Sequence, residues 1–347
     1  MAVTLQDLLT DPGLFLYELD KDDAIFQSMT REDLFRSIFL DARIRHSGGP
    51  NFRVPLNALL AAFEKAAVPA PRIGWIFHVA QCGSTLLARA LDHPGRSLVL
   101  REPAALRRLG VMAGAGARSE WPEPLGRLVS LVATMLGKHW ETETATIVKA
   151  NVPVNFIASD LLARDPGAPA ILLHFPLANY VGAILRTEGH VRWTESVFAE
   201  LRLHESPYSA GAEPRSAPEK AAALWFAQMK AFEALLETYP ATRSLDATLL
   251  FGEPAQAIEA ATRLFGLSLR DGEAQAIAGS ELFHSYSKNP ALDYDPEVRL
   301  AREAEALHRL EAEIDEARAW AKGARARHGL PEALDRPLVG PLALLLS

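Results

Sequence analysis

The sequence predicts a three-layer α/β fold, in which helices cover both faces of a doubly wound parallel sheet. Four short apolar runs have the composition of strands that are buried on both faces, and helical segments separate them. These runs are residues 75–80, 97–100, 145–148 and 170–174. Strands that alternate with helices are typical of a parallel sheet, whose ligand site lies at the carboxyl ends of the strands.

The patterns divide the chain into three regions. They are a helical N-terminal cap at residues 1–70, an α/β core at 71–290, and a C-terminal helix and tail at 291–347. In the cap, Thr30 precedes acidic residues and an apolar repeat at helical spacing, which predicts a capped helix. We expect the whole cap to be mostly helical, and no motif in it indicates chemistry.

Helices dominate the sequence beyond the fourth apolar run. A strongly periodic helix is expected at residues 217–238 and an edge strand at 243–246. Residues 296–327 are rich in charge and are expected to form one long helix with an apolar side. That side could support a homodimer, and packing against the chain's own core is the alternative.

Composition excludes several classes of protein. With 347 residues, 49% of them hydrophobic, the chain can bury a large core. Its net charge of −7 does not suit a bulk nucleic-acid binder. A single cysteine excludes an intrachain disulfide framework and suits a reducing compartment, so we expect a cytoplasmic protein. We also expect no secretory signal and no membrane span, because no apolar run is long enough.

A glycine turn between the first apolar run and its helix predicts a phosphate-binding loop. Gly83 is followed by Ser84 and Thr85, at the start of a helical pattern that reaches Leu91. The free N–H groups of a first helical turn and the positive end of the helix dipole favour an anion there. The loop lacks the lysine of nucleotide triphosphatases, and His78 stands where their first glycine should be. An ordinary ATPase is therefore disfavoured.

A longer pattern surrounds this loop. Residues 80–86 contain the loop, a His-Pro pair stands at 93–94, and Glu102 follows the second apolar run. In this order they resemble the 5′-phosphosulfate loop of sulfotransferases that use 3′-phosphoadenosine 5′-phosphosulfate (PAPS), most closely the tyrosylprotein and carbohydrate branch. The resemblance extends to Lys149, at the end of the third run, and to residues 171–176.

The resemblance implies a P-loop, sulfotransferase-like fold and a set of site residues. Glu102 matches the family's catalytic base, and Lys149 matches a lysine that steadies the transferring group. The backbone and hydroxyls near Gly83 would hold the 5′-phosphosulfate, and no metal is required. The donor-binding residues are then Gln81, Cys82, Gly83, Ser84, Thr85, His174, Arg186 and Lys288.

Three positions on the donor side depart from the family pattern. Gln81 replaces a basic loop residue, His174 replaces the arginine that reads the 3′-phosphate, and Gly182 replaces a helping serine. Each lost charge-assisted hydrogen bond would weaken donor binding by roughly tenfold or more. The nearby basic residues that could compensate are Arg186, Arg192 and Lys288.

Each candidate residue also has a structural interpretation. Glu102 could pair with an arginine or cap the next helix, and Lys149 could be a solvated strand end. His174 could be a structural hydrogen-bonding group. Cys82, at the start of a helix, could instead be a nucleophile with a lowered pKa, although no histidine is visibly partnered with it.

Together these patterns predict an enzyme that transfers a sulfuryl group from PAPS to a hydroxyl of a small molecule, glycan or peptide. One alternative is a kinase-like phosphotransferase on a variant loop. Another is a degenerate, non-catalytic nucleotide-binding protein, which the missing basic residues would suit.

Overall fold

The structure, a computed structural model, describes residues 3–44, 48–114, 123–141, 143, 145–286, 289–293 and 296–347. The strands are β1 (Leu14–Leu19), β2 (Asp23–Ser28), β3 (Asn51–Pro55), β4 (Ile73–His78), β5 (Ser97–Arg101), β6 (Ala145–Lys149), β7 (Ala170–His174), β8 (Thr242–Asp246), β9 (Ser285–Tyr286) and β10 (Asn289–Asp293). The longer helices are α3 (Leu56–Ala66), α5 (Ala104–Gly114), α6 (Leu125–Leu136), α8 (Leu177–Leu185), α9 (Glu188–Glu200), α10 (Ala217–Thr238), α12 (Pro254–Leu264), α15 (Pro296–Arg309) and α16 (Glu311–His328). The shorter helices are α1 (Leu5–Thr10), α2 (Arg31–Arg36), α4 (Ser84–Ala90), α7 (Ala158–Leu162), α11 (Ala247–Gly252), α13 (Glu273–Ala278) and α14 (Glu281–His284), with 3₁₀ turns at Val152–Ile157, Leu203–Glu205 and Pro207–Ser209.

A five-stranded parallel sheet flanked by helices forms the centre of the molecule. Its strand order is β5-β6-β4-β7-β8. Every residue of β4, β5 and β7 is buried, as expected where helices cover both faces of a sheet. The structure confirms the predicted α/β fold, and β8 is an edge strand as predicted.

The N-terminal region corrects the expectation of a mostly helical cap. It contains a three-stranded antiparallel sheet of β1, β2 and β3, besides α1, α2 and α3. A register shift between Leu16 and Glu18 interrupts the pairing of β1 with β2. Because such a shift breaks the alternation of buried and exposed residues, the sequence gives no clear strand signal there. The capped helix after Thr30 is present.

The C-terminal region corrects the expectation of one long helix. Two helices, α15 and α16, meet at Leu310, whose φ of −104° and ψ of 21° are not helical. The first packs against α8 and the second mainly against α10, so both lie on the chain's own core. The predicted homodimer stays a prediction.

The C-terminal segment of the chain pairs with β8, the edge strand of the central sheet. The amide of Ser244 in β8 donates to the carbonyl of Arg336 at 3.0 Å, and the amide of Leu338 donates to the carbonyl of Ser244 at 2.7 Å. These bonds satisfy backbone groups of an edge strand that would otherwise be open to another chain. Within the described ranges, no helix has the length and apolar composition needed to cross a bilayer.

Candidate active site

A cavity of about 770 Å³ opens at the carboxyl edge of the central sheet. The strand order places the ends of β5, β6 and β4 side by side, which brings together residues far apart in sequence. The predicted site residues that line the cavity are Gln81, Cys82, Gly83, Ser84, Thr85, Glu102, Lys149 and Arg186. The topology therefore gathers most of the residues that the sequence singled out.

The loop between β4 and α4 is held in an unusual backbone conformation. Gln81 has a φ of 63° and Gly83 a φ of 79°, both in the left-handed region. A Cβ at Gly83 would lie 2.6 Å from Cζ of Phe251, so the loop passes too close to that ring for any side chain. Glycine at this position is required both by the backbone angle and by the packing.

Cys82 is buried in this loop, and its thiol is already engaged. The Sγ atom donates to the carbonyl oxygen of Val79 at 2.9 Å. A hydrogen bond donated by the S–H group to a carbonyl stabilises the protonated thiol rather than the thiolate. This contact argues against the alternative in which Cys82 is a nucleophile.

Glu102 and Lys149 form an ion pair at the floor of the cavity. The ammonium of Lys149 contacts Oε1 of Glu102 and lies 3.4 Å from the hydroxyl of Thr85. The amide of Glu102 also donates to the carbonyl of Lys149 at 2.8 Å. The lysine side chain is almost completely buried, so it is not a solvated strand end, and its ammonium is a basic partner of Glu102.

The backbone at Glu102 is strained. Its φ is 55°, a left-handed value that costs a residue other than glycine about 1–3 kcal/mol. The preceding residue, Arg101, is fixed by an ion pair to Asp92 at 2.6 Å and by donation to the carbonyls of Leu34 and Ser37. These buried contacts hold the end of β5 in place while Glu102 turns towards the cavity.

His78 is a site residue whose role the sequence did not reveal. It is buried at the end of β4, with Nε2 2.7 Å from the carbonyl of Ala150 and 4.0 Å from Oε1 of Glu102. Burial, followed by the charge of Lys149, lowers the pKa of His78 to about 3. The ring is therefore uncharged near neutral pH, whereas Lys149 contacts Glu102 as a cation. Its place at the end of a buried strand was the signal available in the sequence.

The N-terminal region contributes one wall of the cavity, although no motif in its sequence indicated a site there. Phe39, Asp41 and Arg43 all line the cavity. The guanidinium carbon of Arg43 lies 3.9 Å from the centroid of the Phe39 ring, and Lys149 Nζ lies 5.4 Å from the same centroid. A hydrogen bond to Asp41 raises the pKa of Arg43. No local motif in the sequence connects this segment with the strand ends.

Positive charge predominates in the cavity, although the chain as a whole is acidic. Of the described residues that line it, the basic ones are Arg43, Arg107, Lys149 and Arg186, and the carboxylates are Asp41 and Glu102. The excess of two positive charges contrasts with the net charge of −7. A concave site with this sign of charge attracts anionic ligands.

One predicted donor residue does not line the cavity, and another cannot be placed. His174 is buried at the end of β7 and is not among the cavity-lining residues; burial lowers its pKa, with Asp246 acting in the opposite direction. Lys288 lies outside the described residues. Gly182 faces α15, because a Cβ there would lie 3.0 Å from Cδ2 of Leu307. Arg186 makes no ion pair or hydrogen bond with any described residue.

Comparison with known proteins finds similarity in structure but none in sequence. No protein-family model matches the chain, and no curated protein sequence matches it. A sulfotransferase domain from the curacin biosynthetic pathway is similar with a TM-score of 0.40 and 11% identity, over 66% of this chain and 86% of that one. A sulfotransferase from Alicyclobacillus acidocaldarius has a TM-score of 0.39 and 12% identity, over 75% and 94% of the two chains. A sulfotransferase from Mycobacterium tuberculosis has a TM-score of 0.40 and 17% identity, over 87% and 90%.

Proposed function

We propose that this chain is an enzyme that transfers a sulfuryl group from PAPS to a hydroxyl of a small molecule, glycan or peptide. The observation that carries the proposal is the ion pair of Glu102 with Lys149, placed beside Thr85 in a positively charged cavity. Sulfuryl transfer needs a base for the hydroxyl proton and positive charge for the transferring group and its phosphate leaving group. The pair supplies both in one place.

Glu102 would take the proton of the acceptor hydroxyl. Its carboxylate is partly exposed to the cavity, whereas Lys149 beneath it is buried. As the hydroxyl oxygen bonds to sulfur, its proton passes to Glu102, and the bond from sulfur to the phosphate oxygen breaks.

Lys149 would also act on the donor side. Its ammonium lies between Glu102 and the Thr85 hydroxyl, so it can stabilise negative charge on the transferring group at the loop. Because His78 is neutral, it does not compete with Lys149 for the glutamate. The donor, when bound, supplies the sulfuryl group and a good leaving group.

The residues fit the phosphosulfate end of the donor better than its 3′-phosphate end. The loop, Thr85 and Lys149 present donors and charge to an anion at one side of the cavity. At the positions that match the family's 3′-phosphate residues, the chain has His174, whose pKa is lowered by burial, and Gly182, which is packed beneath α15. Arg186 lines the cavity and lies next in the chain after α8, so it would take the 3′-phosphate.

Calorimetry with PAPS, its desulfated product, ATP and GTP tests the proposal. We expect the two 3′-phosphorylated nucleotides to bind more tightly than ATP and GTP. Preference for ATP would contradict the proposal and support a phosphotransferase, and lack of binding by all four would support a non-catalytic protein. Arg186→Gln should weaken the favoured ligands about tenfold. The matched control is Arg192→Gln, because Arg192 is exposed and pairs with Glu188 outside the cavity.

A further inference from the structure

The carboxamide of Asn151 is a buried polar group without a partner. The residue is 6% exposed and lines the cavity. Its Oδ1 atom is buried and accepts no hydrogen bond, and its side chain makes none with any described residue. Buried polar side chains are satisfied in the great majority of cases, so such a group beside a cavity indicates a ligand that completes it.

The local backbone explains why Asn151 cannot satisfy itself. Asparagine before a helical turn normally accepts a hydrogen bond from one of the next two or three amides. Here Pro153 has no N–H, and the amide of Val154 already donates to the main-chain carbonyl of Asn151 at 2.9 Å. The carboxamide is therefore left for the cavity, and the 3₁₀ turn after it has no side-chain cap.

Asn151 is placed on the same side of the chain as the catalytic pair. The amide of Ala150 donates to the carbonyl of Ile76 at 3.0 Å, which continues the pairing of β6, and Asn151 is itself extended with φ −94° and ψ 164°. Residues two apart in an extended segment point to the same face and lie about 7 Å apart. Lys149 and Asn151 therefore both face the cavity, close enough to contact neighbouring groups of one small molecule.

We infer that Asn151 determines acceptor specificity by hydrogen bonding to a second hydroxyl adjacent to the reacting one, so that the acceptor is a 1,2-diol. A hydroxyl suits a carboxamide because it can both donate and accept. The reacting hydroxyl lies at Glu102, and its neighbour lies at Asn151. This inference rests on the proposed function and adds a substrate class to it.

Two probes that differ by a single hydroxyl test the inference. Initial rates of sulfuryl transfer from PAPS are measured with trans-1,2-cyclohexanediol and with cyclohexanol. Wild-type protein should favour the diol at least about tenfold in kcat/KM, as expected for one hydrogen-bonded hydroxyl. Asn151→Leu, of similar shape but unable to form hydrogen bonds, should lower kcat/KM for the diol towards that for cyclohexanol and so abolish this preference.

A matched variant separates a role in binding from a role in folding. Thr146 is on β6, the strand that precedes Asn151; it is buried and has an unpaired hydroxyl, but it does not line the cavity. Thr146→Val should therefore keep the diol preference. Asn151→Leu should keep or raise the melting temperature, because it removes an unsatisfied polar group. Asn151→Ala, which leaves a space where Asn151→Leu fills it, should lose the diol preference in the same way.

Three results would overturn the inference. They are equal rates with both probes in the wild type (zero included), an equal loss for both probes in Asn151→Leu, and an unchanged preference in that variant. The last would mean that water satisfies the carboxamide. Calorimetric donor binding is recorded on the same samples. Failure of donor binding would contradict the proposed function, whereas normal donor binding without a diol preference would contradict this inference alone.

Discussion

Glu102 is the residue on which the proposed chemistry depends most directly. Its carboxylate contacts the ammonium of Lys149, and its side chain reaches the cavity. Replacement by glutamine keeps the shape and removes the base, so Glu102→Gln should lower kcat about 10²–10⁴-fold. The donor affinity should stay nearly intact, because donor contacts lie at the loop. Steady-state kinetics and calorimetry on the same variant check both expectations.

The control for Glu102 is a second glutamate that also pairs with a basic residue at the cavity. Glu200 contacts Arg107 at 2.5 Å, but it does not line the cavity itself. Glu200→Gln should keep most of the turnover. Full activity in Glu102→Gln would remove this residue from the mechanism.

His78 should make the stability of the protein depend on pH. Its pKa is lowered to about 3 in the folded state, whereas an unfolded histidine titrates near 6.5. The unfolded chain therefore binds the proton first as the pH falls, and the folded state loses stability between pH 6.5 and 3. Between pH 7 and pH 5 the loss due to this residue should be about 2 kcal/mol.

Chemical denaturation at the two pH values measures this effect. In His78→Gln the fall in the free energy of unfolding should be smaller than in the wild type by about 2 kcal/mol. His139→Gln, which changes an exposed histidine, should behave as the wild type. An identical fall in wild type and His78→Gln would show that the ring does not stay neutral in the fold.

At the scale of elements, the turn from β4 into α4 combines a backbone requirement with a packing requirement. In Gly83→Ala, the alanine must adopt a left-handed conformation, which should destabilise the fold by about 1–2 kcal/mol. Its Cβ would also collide with the ring of Phe251. Gly95 has a similar φ of 81° but open space around it, so Gly95→Ala should cost only the first amount. Thermal unfolding of the two variants measures the difference, and equal losses would show that contact with Phe251 has no energetic role.

Strands buried on both faces were the elements that the sequence identified best. The runs that became β4 to β7 are short and mostly apolar, so their length and composition both indicate buried strands. The strands β1 and β2 were missed because the register shift near Leu16 breaks their alternation. The break at Leu310 was missed as well, since helix-forming residues continue on both sides of it.

For the molecule as a whole, a buried charge network connects the N-terminal region to the central sheet. Asp92 pairs with Arg101 at 2.6 Å and with Arg31 at 2.5 Å, and Arg31 also pairs with Glu143 at 2.9 Å. Arg101 further donates to the carbonyls of Leu34, Phe35 and Ser37. These contacts hold the segment that carries Phe39 beside the cavity.

Removal of one member of this network should affect both stability and activity. Arg101→Leu removes the donor to Oδ2 of Asp92 and to several carbonyls, and breaking a buried pair in this way costs about 3–5 kcal/mol. Denaturation should show this loss, and limited proteolysis should cut the N-terminal region faster. The exposed pair of Arg263 and Glu259 is the control, because Arg263→Leu should change stability by less than about 1 kcal/mol. Equal protease resistance of Arg101→Leu and wild type would contradict this role.

The sequence predicted the site residues at the strand ends, but it did not predict the residues that surround them in the cavity. Glu102 and Lys149 follow buried runs, so the edge of a parallel sheet was expected to bring them near each other. The wall formed by Phe39 depends on contacts between distant segments, which no periodicity encodes. Asn151 stands out only because its side chain accepts no hydrogen bond. Pro153 has no N–H to donate to it, and the amide of Val154 already donates to the main-chain carbonyl of Asn151.

The wall that carries Phe39, Asp41 and Arg43 belongs to an irregular connection, whereas the base and the loop belong to strand ends. Connections tolerate changes in sequence and length much better than buried strands do. Substitutions at residues 38–44 can therefore reshape this wall of the cavity while Glu102, Lys149 and the loop at Gly83 stay fixed. Under the proposed function, the architecture would separate the choice of acceptor from the chemistry of transfer, so new acceptors would be accessible to evolution, or to a designer, through one short connection.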